Sequence, residues 1–100
     1  MKDLTNADKI LLLEVYQKYN LYHPLTCCDH VNMFPKEYQN KVMLECPKCG
    51  RIQEEYPDAI GMLLFTLEIM DTDPITQTIM KTNLDESEIE ELRALASRFK

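Results

Sequence analysis

One turn, Glu45-Cys46-Pro47-Lys48-Cys49-Gly50, constrains this chain more than any other stretch. In a Cys-x-x-Cys-Gly turn the first thiolate accepts hydrogen bonds from the backbone N–H groups that follow it, so both sulfurs face one point. Proline presets one backbone angle of the turn, and glycine supplies the positive φ on which the chain leaves it. Two thiolates fill half a tetrahedron, so a second pair of ligands is expected nearby. Cys27, Cys28 and His30 are the candidates, with 15 residues between His30 and Cys46. A ligand pair, a short hairpin and a second Cys-x-x-Cys pair form the pattern of a structural Zn2+ site. The preferred ligands are Cys27, His30, Cys46 and Cys49, with Cys28 as the substitute.

A chain of 100 residues is expected to form a single domain, 1–100, made of an N-terminal helix (1–22), the metal-binding part (23–56) and a helical C-terminal part (57–100). Chains of this size bury only about 60–68% of their unfolded surface, so a metal staple is physically useful. All four cysteines lie between positions 27 and 49, a clustering that suits thiolate ligation in a reducing compartment better than a disulfide framework. A basic-then-apolar leader is not expected from the chain's first residues. Its longest apolar-rich run, Ala59 to Met70, is twelve residues long and carries Thr66 and Glu68, too short to cross a bilayer. A soluble cytoplasmic protein with no membrane association is expected.

The net charge of −6 is unevenly spread: segments 1–22, 23–56 and 57–100 carry 0, −1 and −5. Such a chain repels phosphate over most of its surface. The two glycines, Gly50 and Gly61, cannot build a phosphate-cradling loop. A thioredoxin-like Cys-x-x-Cys belongs at a helix start after a strand, whereas Gly50 ends a turn here. A catalytic zinc keeps an open coordination position, and four candidate ligands close this one. No enzymatic activity is expected.

Along the chain, Thr5 can cap a first helix from about Asn6 to Tyr19, with Asp8 suited to the positive end of its dipole and Asn20 as its stop. Leu12, Val15, Tyr16 and Tyr19 form its apolar stripe, widened by Ile10, Leu11 and Leu13. Tyr16, Tyr19 and Tyr22 read as packing residues. His23, a further ligand candidate, precedes Pro24 and reads as an ordinary loop residue. Val31 to Phe34 and Lys41 to Glu45 read as two strands joined by polar Lys36 to Asn40, with a third short strand at Arg51 to Glu54.

Beyond this, Pro57-Asp58 starts a helix over Asp58 to Asp71, apolar around nearly its whole circumference. That helix is either a central core element or a homodimer surface. Ile75 to Thr82 fits a short helix or an extended segment. Asp85 and Glu88 form a capping-box pair for the last helix, Leu84 and Ile89 occupy hydrophobic-staple positions, and Ile89, Leu92, Leu95, Ala96 and Phe99 make its buried stripe.

Leu25-Thr26-Cys27 through Cys46-Pro47-x-Cys49-Gly50-x-x-Gln53 resembles a zinc ribbon, in which two metal-binding knuckles sit at the ends of a β-hairpin or small three-stranded sheet. The resemblance covers about 30 residues. The first knuckle departs from the pattern: Cys27 and Cys28 are adjacent, His30 stands in place of a second cysteine, and no glycine follows. The first helix, the Tyr22-His23-Pro24-Leu25-Thr26-Cys27 segment and the single ribbon are also similar to small uncharacterised zinc-ribbon proteins of bacteriophages. The implied fold is α+β, with an N-terminal helix, the ribbon, and two or three C-terminal helices.

The implied function is a small zinc-binding adaptor or regulator that binds a protein partner. If the phage resemblance holds, it acts in the host cytoplasm on host or viral transcription or replication machinery. The alternative is a nucleic-acid-binding ribbon that uses Lys36, Lys41, Lys48 and Arg51 as a basic patch. The weak electrostatic footprint of four cations in an acidic chain favours the protein partner.

Overall fold

In the computed structural model, which describes residues 4–19, 24–56 and 58–99, the first helix begins where Thr5 can cap it. The expected roles of Asn20, Tyr22, His23 and Pro57 lie outside the described residues. The Asp8 N–H donates to Thr5 Oγ1 and the Thr5 N–H donates to Asp8 Oδ2, both at 3.1 Å, a reciprocal cap for α1, Asn6–Tyr19. The strands β1 (Phe34–Tyr38), β2 (Lys41–Glu45) and β3 (Ile52–Gln53) follow, then helices α2 (Ala59–Ile69), α3 (Pro74–Asn83) and α4 (Glu86–Arg98). The fold is α+β, as the sequence implies. The chain divides into two compact units, Met1–Ile60 and Gly61–Lys100, with the boundary inside α2.

In the first unit an antiparallel sheet of order β1-β2-β3 lies against α1, which contacts both β1 and β2. Strand alternation sorts the side chains: Val42 and Leu44 are buried, together with Leu12, Leu13, Tyr16 and Tyr19 of α1. On the other face, register places Phe34 opposite Glu45 and Glu45 opposite Ile52, so the three share one row across the sheet. Phe34 is 57% exposed and Ile52 43%.

The hairpin differs from expectation. Its first strand begins at Phe34 and runs through Lys36 to Tyr38, and the turn is only Gln39-Asn40, with φ of 49° and 66°. Positive φ at both central residues is the condition for a two-residue turn whose twist matches its strands. Val31 to Met33, expected to be strand, instead makes the return side of the first knuckle, with a single bridge between Thr26 and Asn32.

Helix α1 is pinned at both ends of the sheet. Asn6 Nδ2 donates to Glu37 Oε2 (2.7 Å) and to the carbonyl of Asn40 (2.9 Å) at the hairpin turn. Eleven residues on, Gln17 bonds the backbone beside the first knuckle. Eleven helical residues rise about 16 Å, and a five-residue strand spans about 17 Å, so one helix reaches from turn to knuckle.

In the second unit each helix start is marked by a side-chain cap. Asp73 accepts from the Thr76 N–H (2.9 Å) and Thr76 Oγ1 (2.8 Å), with Pro74 at the first helical position. The threonines that left α3 ambiguous satisfy themselves within the helix: Thr78 Oγ1 donates to the Pro74 carbonyl at 2.9 Å and Thr82 Oγ1 to the Thr78 carbonyl at 2.8 Å. In α4 the Asp85–Glu88 capping box is complete, at 2.9 and 3.1 Å. Leu63, Leu67, Met70, Met80, Leu84, Ile89, Leu92 and Ala96 are buried, whereas Met62 and Phe65 of α2 and Ile75 and Ile79 of α3 are exposed.

Asp73 and Asp85 are held below the usual carboxylate range, first by the backbone N–H groups of Thr76 and Glu88 respectively, then by the Thr76 and Ser87 side chains. A carboxylate with a depressed folded-state pKa adds stability that is present above its unfolded value, about 3.9, and lost as pH falls through the folded one. The melting temperature of wild type should therefore exceed that of the Asp73→Asn/Asp85→Asn double variant at pH 7. That margin should hold to pH 5 and shrink below about pH 3.9; thermal melts followed by circular dichroism across this range check it.

Candidate metal centre

Two turns converge at the end of the sheet opposite the Gln39-Asn40 hairpin turn. In the second, the Cys46 N–H donates to the Arg51 carbonyl and the Gly50 N–H to the Cys46 carbonyl, both at 2.9 Å. Gly50 has φ of 77°, the left-handed value expected of it, and a Cβ there would meet nothing within 4 Å, so backbone conformation alone selects glycine. The first turn is closed more tightly: the Cys27 N–H donates to the Val31 carbonyl (3.0 Å) and the Val31 N–H to the Cys28 carbonyl (3.1 Å). It reverses direction without glycine, through Asp29 (φ 53°) and His30 (φ 58°). Both residue types are among those that visit the left-handed region most readily.

The result is a cluster of four sulfurs. The ligand atoms of Cys27, Cys28, Cys46 and Cys49 all lie within 4.8 Å of one another. Across the two turns, Cys27 Sγ is 3.8 Å from Cys49 Sγ, and Cys28 Sγ is 3.6 Å from Cys46 Sγ. A disulfide would bring a pair to about 2.0 Å, and all four cysteines are free. A tetrahedral ion with sulfur ligands about 2.3 Å away separates those ligands by about 3.8 Å. The two cross-turn distances match that edge, so the cluster is compatible with a zinc-ribbon-like site. Cys28, the substitute in the sequence reading, stands in the cluster with Cys27, Cys46 and Cys49. His30 is exposed and lies outside the group that the described residues form.

The electrostatics of the cluster show why it suits a cation. Cys46 is 1% exposed, and burial alone would favour its neutral thiol. The backbone N–H groups of Cys49 and, less strongly, Lys48 point at its sulfur and bring its pKa down to about 6. Cys28 is driven the opposite way, up to about 12, chiefly because its thiol donates to the Cys46 sulfur and also because of burial and Cys49. One sulfur ionises at its neighbour's expense. A bound cation removes that conflict, because it favours the thiolate at every position.

The four expected basic-patch residues do not act as free cations together. Lys48 Nζ bonds Asp29 Oδ2, tying the tips of the two turns to each other. Lys36 lies 3.4 Å from Glu45 and 5.0 Å from the centre of the Tyr38 ring, and Lys41 lies 3.4 Å from Glu54. Arg51 is exposed. Gln17, which the sequence reading passed over, is 93% buried. Its Nε2 donates to the carbonyls of Leu25 (2.7 Å) and Met33 (2.9 Å), and its Oε1 accepts from the Leu25 N–H (2.9 Å).

No protein-family model matches the sequence, and neither a curated protein nor a solved structure matches it.

The geometry sets an order of severity among substitutions. With Co2+ as a spectroscopic probe, Cys28→Ser should abolish the four-thiolate spectrum as fully as Cys46→Ser, while His30→Ala should retain it. Loss of that spectrum in His30→Ala with retention in Cys28→Ser would return the fourth position to the imidazole.

Proposed function

We propose that this protein is a small, non-enzymatic zinc-binding adaptor: one Zn2+ held by Cys27, Cys28, Cys46 and Cys49 staples the two turns, and the ribbon presents a surface to a protein partner. The observation that carries this reading is the sulfur cluster, four ligand atoms within 4.8 Å of one another with the two cross-turn distances near a tetrahedral edge. Four protein ligands leave no position for water or substrate, which is the arrangement of a structural rather than a catalytic zinc. Bound there, the ion would supply fixed geometry and offset part of the thiolate charge. The chain supplies the two backbone turns, the N–H groups aimed at Cys46, and the Lys48–Asp29 pair across the tips.

The partner surface is the sheet face away from α1, where exposed Phe34 and Ile52 flank Glu45 in one row. Protein rather than nucleic acid is favoured there because Lys36, Lys41 and Lys48 each face a carboxylate. Phosphate binding depends on cations free to replace counterions, and these three would first have to leave their partners.

Structural zinc contributes roughly 10–16 kcal/mol in zinc-finger peptides, against a typical domain stability of roughly 5–15 kcal/mol. A strong chelator should therefore unfold the Met1–Ile60 unit, seen as lost amide protection in β1 and β2. Unchanged protection would make the metal incidental. For the partner class, the zinc-loaded chain should show no duplex or single-stranded DNA binding at physiological salt. Steeply salt-dependent binding that disappears on reversal of Lys36, Lys41, Lys48 and Arg51 would replace the adaptor reading with a nucleic-acid one.

A further inference from the structure

From the bonds of Gln17 we infer that this residue is the positioning residue of the metal centre, locking the base of the first knuckle so that Cys27 and Cys28 are held in place before the ion arrives. The inference rests on the four-thiolate reading above and extends it to a residue that touches neither sulfur nor ion.

The argument starts from burial. Gln17 is one of two buried polar or charged residues among those described, the other being Thr66, which satisfies itself on the Met62 carbonyl 2.9 Å away in its own helix. A buried amide without partners is costly, so one that persists on an apolar helix face has its bonds elsewhere. All three bonds go to the two backbone strands flanking the first knuckle, to Leu25 on the way in and Met33 on the way out. These residues also bond each other, the Met33 N–H donating to the Leu25 carbonyl at 3.0 Å. The amide therefore clamps both legs of the loop that carries Cys27 and Cys28.

The two knuckles differ in their need for such a clamp. The second is built onto β2 and β3, with Glu45 paired to Ile52 and Leu44 to Gln53 directly below it. The first stands on one isolated bridge, Thr26 with Asn32, and turns through two left-handed non-glycine residues. Short of ladder bonds and carrying a strained reversal, it takes its rigidity from α1 through Gln17. Outer residues that fix metal ligands typically change affinity 10- to 100-fold. Because the link is thermodynamic, the ion in turn strengthens the attachment of α1 to the knuckle.

The test uses the full chain loaded with Co2+ under reducing conditions, with three substitutions: Gln17→Met, which keeps length and removes every bond; Gln17→Asn, which keeps the amide on a stem one methylene shorter and so weakens the same bonds; and Asn6→Ala, which loosens the other end of α1. Gln17→Met should release Co2+ to a chelator about tenfold faster, Gln17→Asn should fall between it and wild type, and Asn6→Ala should stay within about twofold of wild type. In the metal-bound state, hydrogen exchange should accelerate at the Cys27, Val31 and Met33 amides of Gln17→Met and not at those of Cys46 and Gly50. A purely structural role would not produce that local asymmetry.

Release rates that follow melting temperature alike in the Gln17 and Asn6 variants, or exchange that rises equally in both knuckles, would overturn the inference while leaving the metal site intact. If Gln17→Met does not fold, Gln17→Asn carries the comparison, and wild-type release and exchange in that variant would overturn it equally. Wild-type protein that takes up no Co2+ would remove the four-thiolate reading and this inference together.

Discussion

Four sulfur atoms brought within 4.8 Å of one another from two separate turns form the contact on which the first half of this protein depends. Left as thiols and thiolates they oppose each other: backbone N–H groups favour the Cys46 anion, and the Cys46 sulfur then holds the Cys28 proton on more tightly. A cation at the centre would convert that opposition into attraction. The closure of the first knuckle, the second knuckle on its two strands and the ion pair between Lys48 and Asp29 all serve to aim sulfurs at one point. A three-stranded sheet whose third strand is two residues long has little else to hold that end together.

Helix α1 completes the arrangement from the other side. Its apolar face covers Val42 and Leu44, and its two amide side chains, Asn6 and Gln17, reach opposite ends of the sheet. Burial provides the larger, non-directional share of the attachment. The amide bonds fix where along the sheet the helix sits, and so relate the knuckle to the hairpin turn. What remains outward is the row Phe34, Glu45, Ile52, set on a scaffold with the four-cysteine cluster at one end.

The parts of this structure that are readable in the sequence are those set by local chemistry. Thr5 with Asp8, and Asp85 with Glu88, fix two helix starts because a cap is a bond between residues three apart. Gly50 marks its turn because few other residues hold φ of 77°. The hairpin was harder to place, since a Gln39-Asn40 turn lacks the glycine that usually signals two positive φ values. The first knuckle is less readable for the same reason. A Cys-x-x-His spacing assumes that the second ligand stands three residues on, whereas left-handed Asp29 and His30 make the reversal themselves and leave adjacent Cys28 in the cluster. Gln17 carried one faint signal: it falls on the buried face with Leu13 and Tyr16 at helical spacing. Its partners, Leu25 and Met33, are known only once the chain has folded back.

X-ray absorption at the metal edge of the zinc-loaded protein tests the central claim most directly, because it reads the ligand atoms themselves. A first shell of four sulfurs at about 2.3 Å with no light-atom component is expected. A shell of three sulfurs with one nitrogen at about 2.0–2.1 Å would contradict the four-thiolate centre on which the account of the first unit rests.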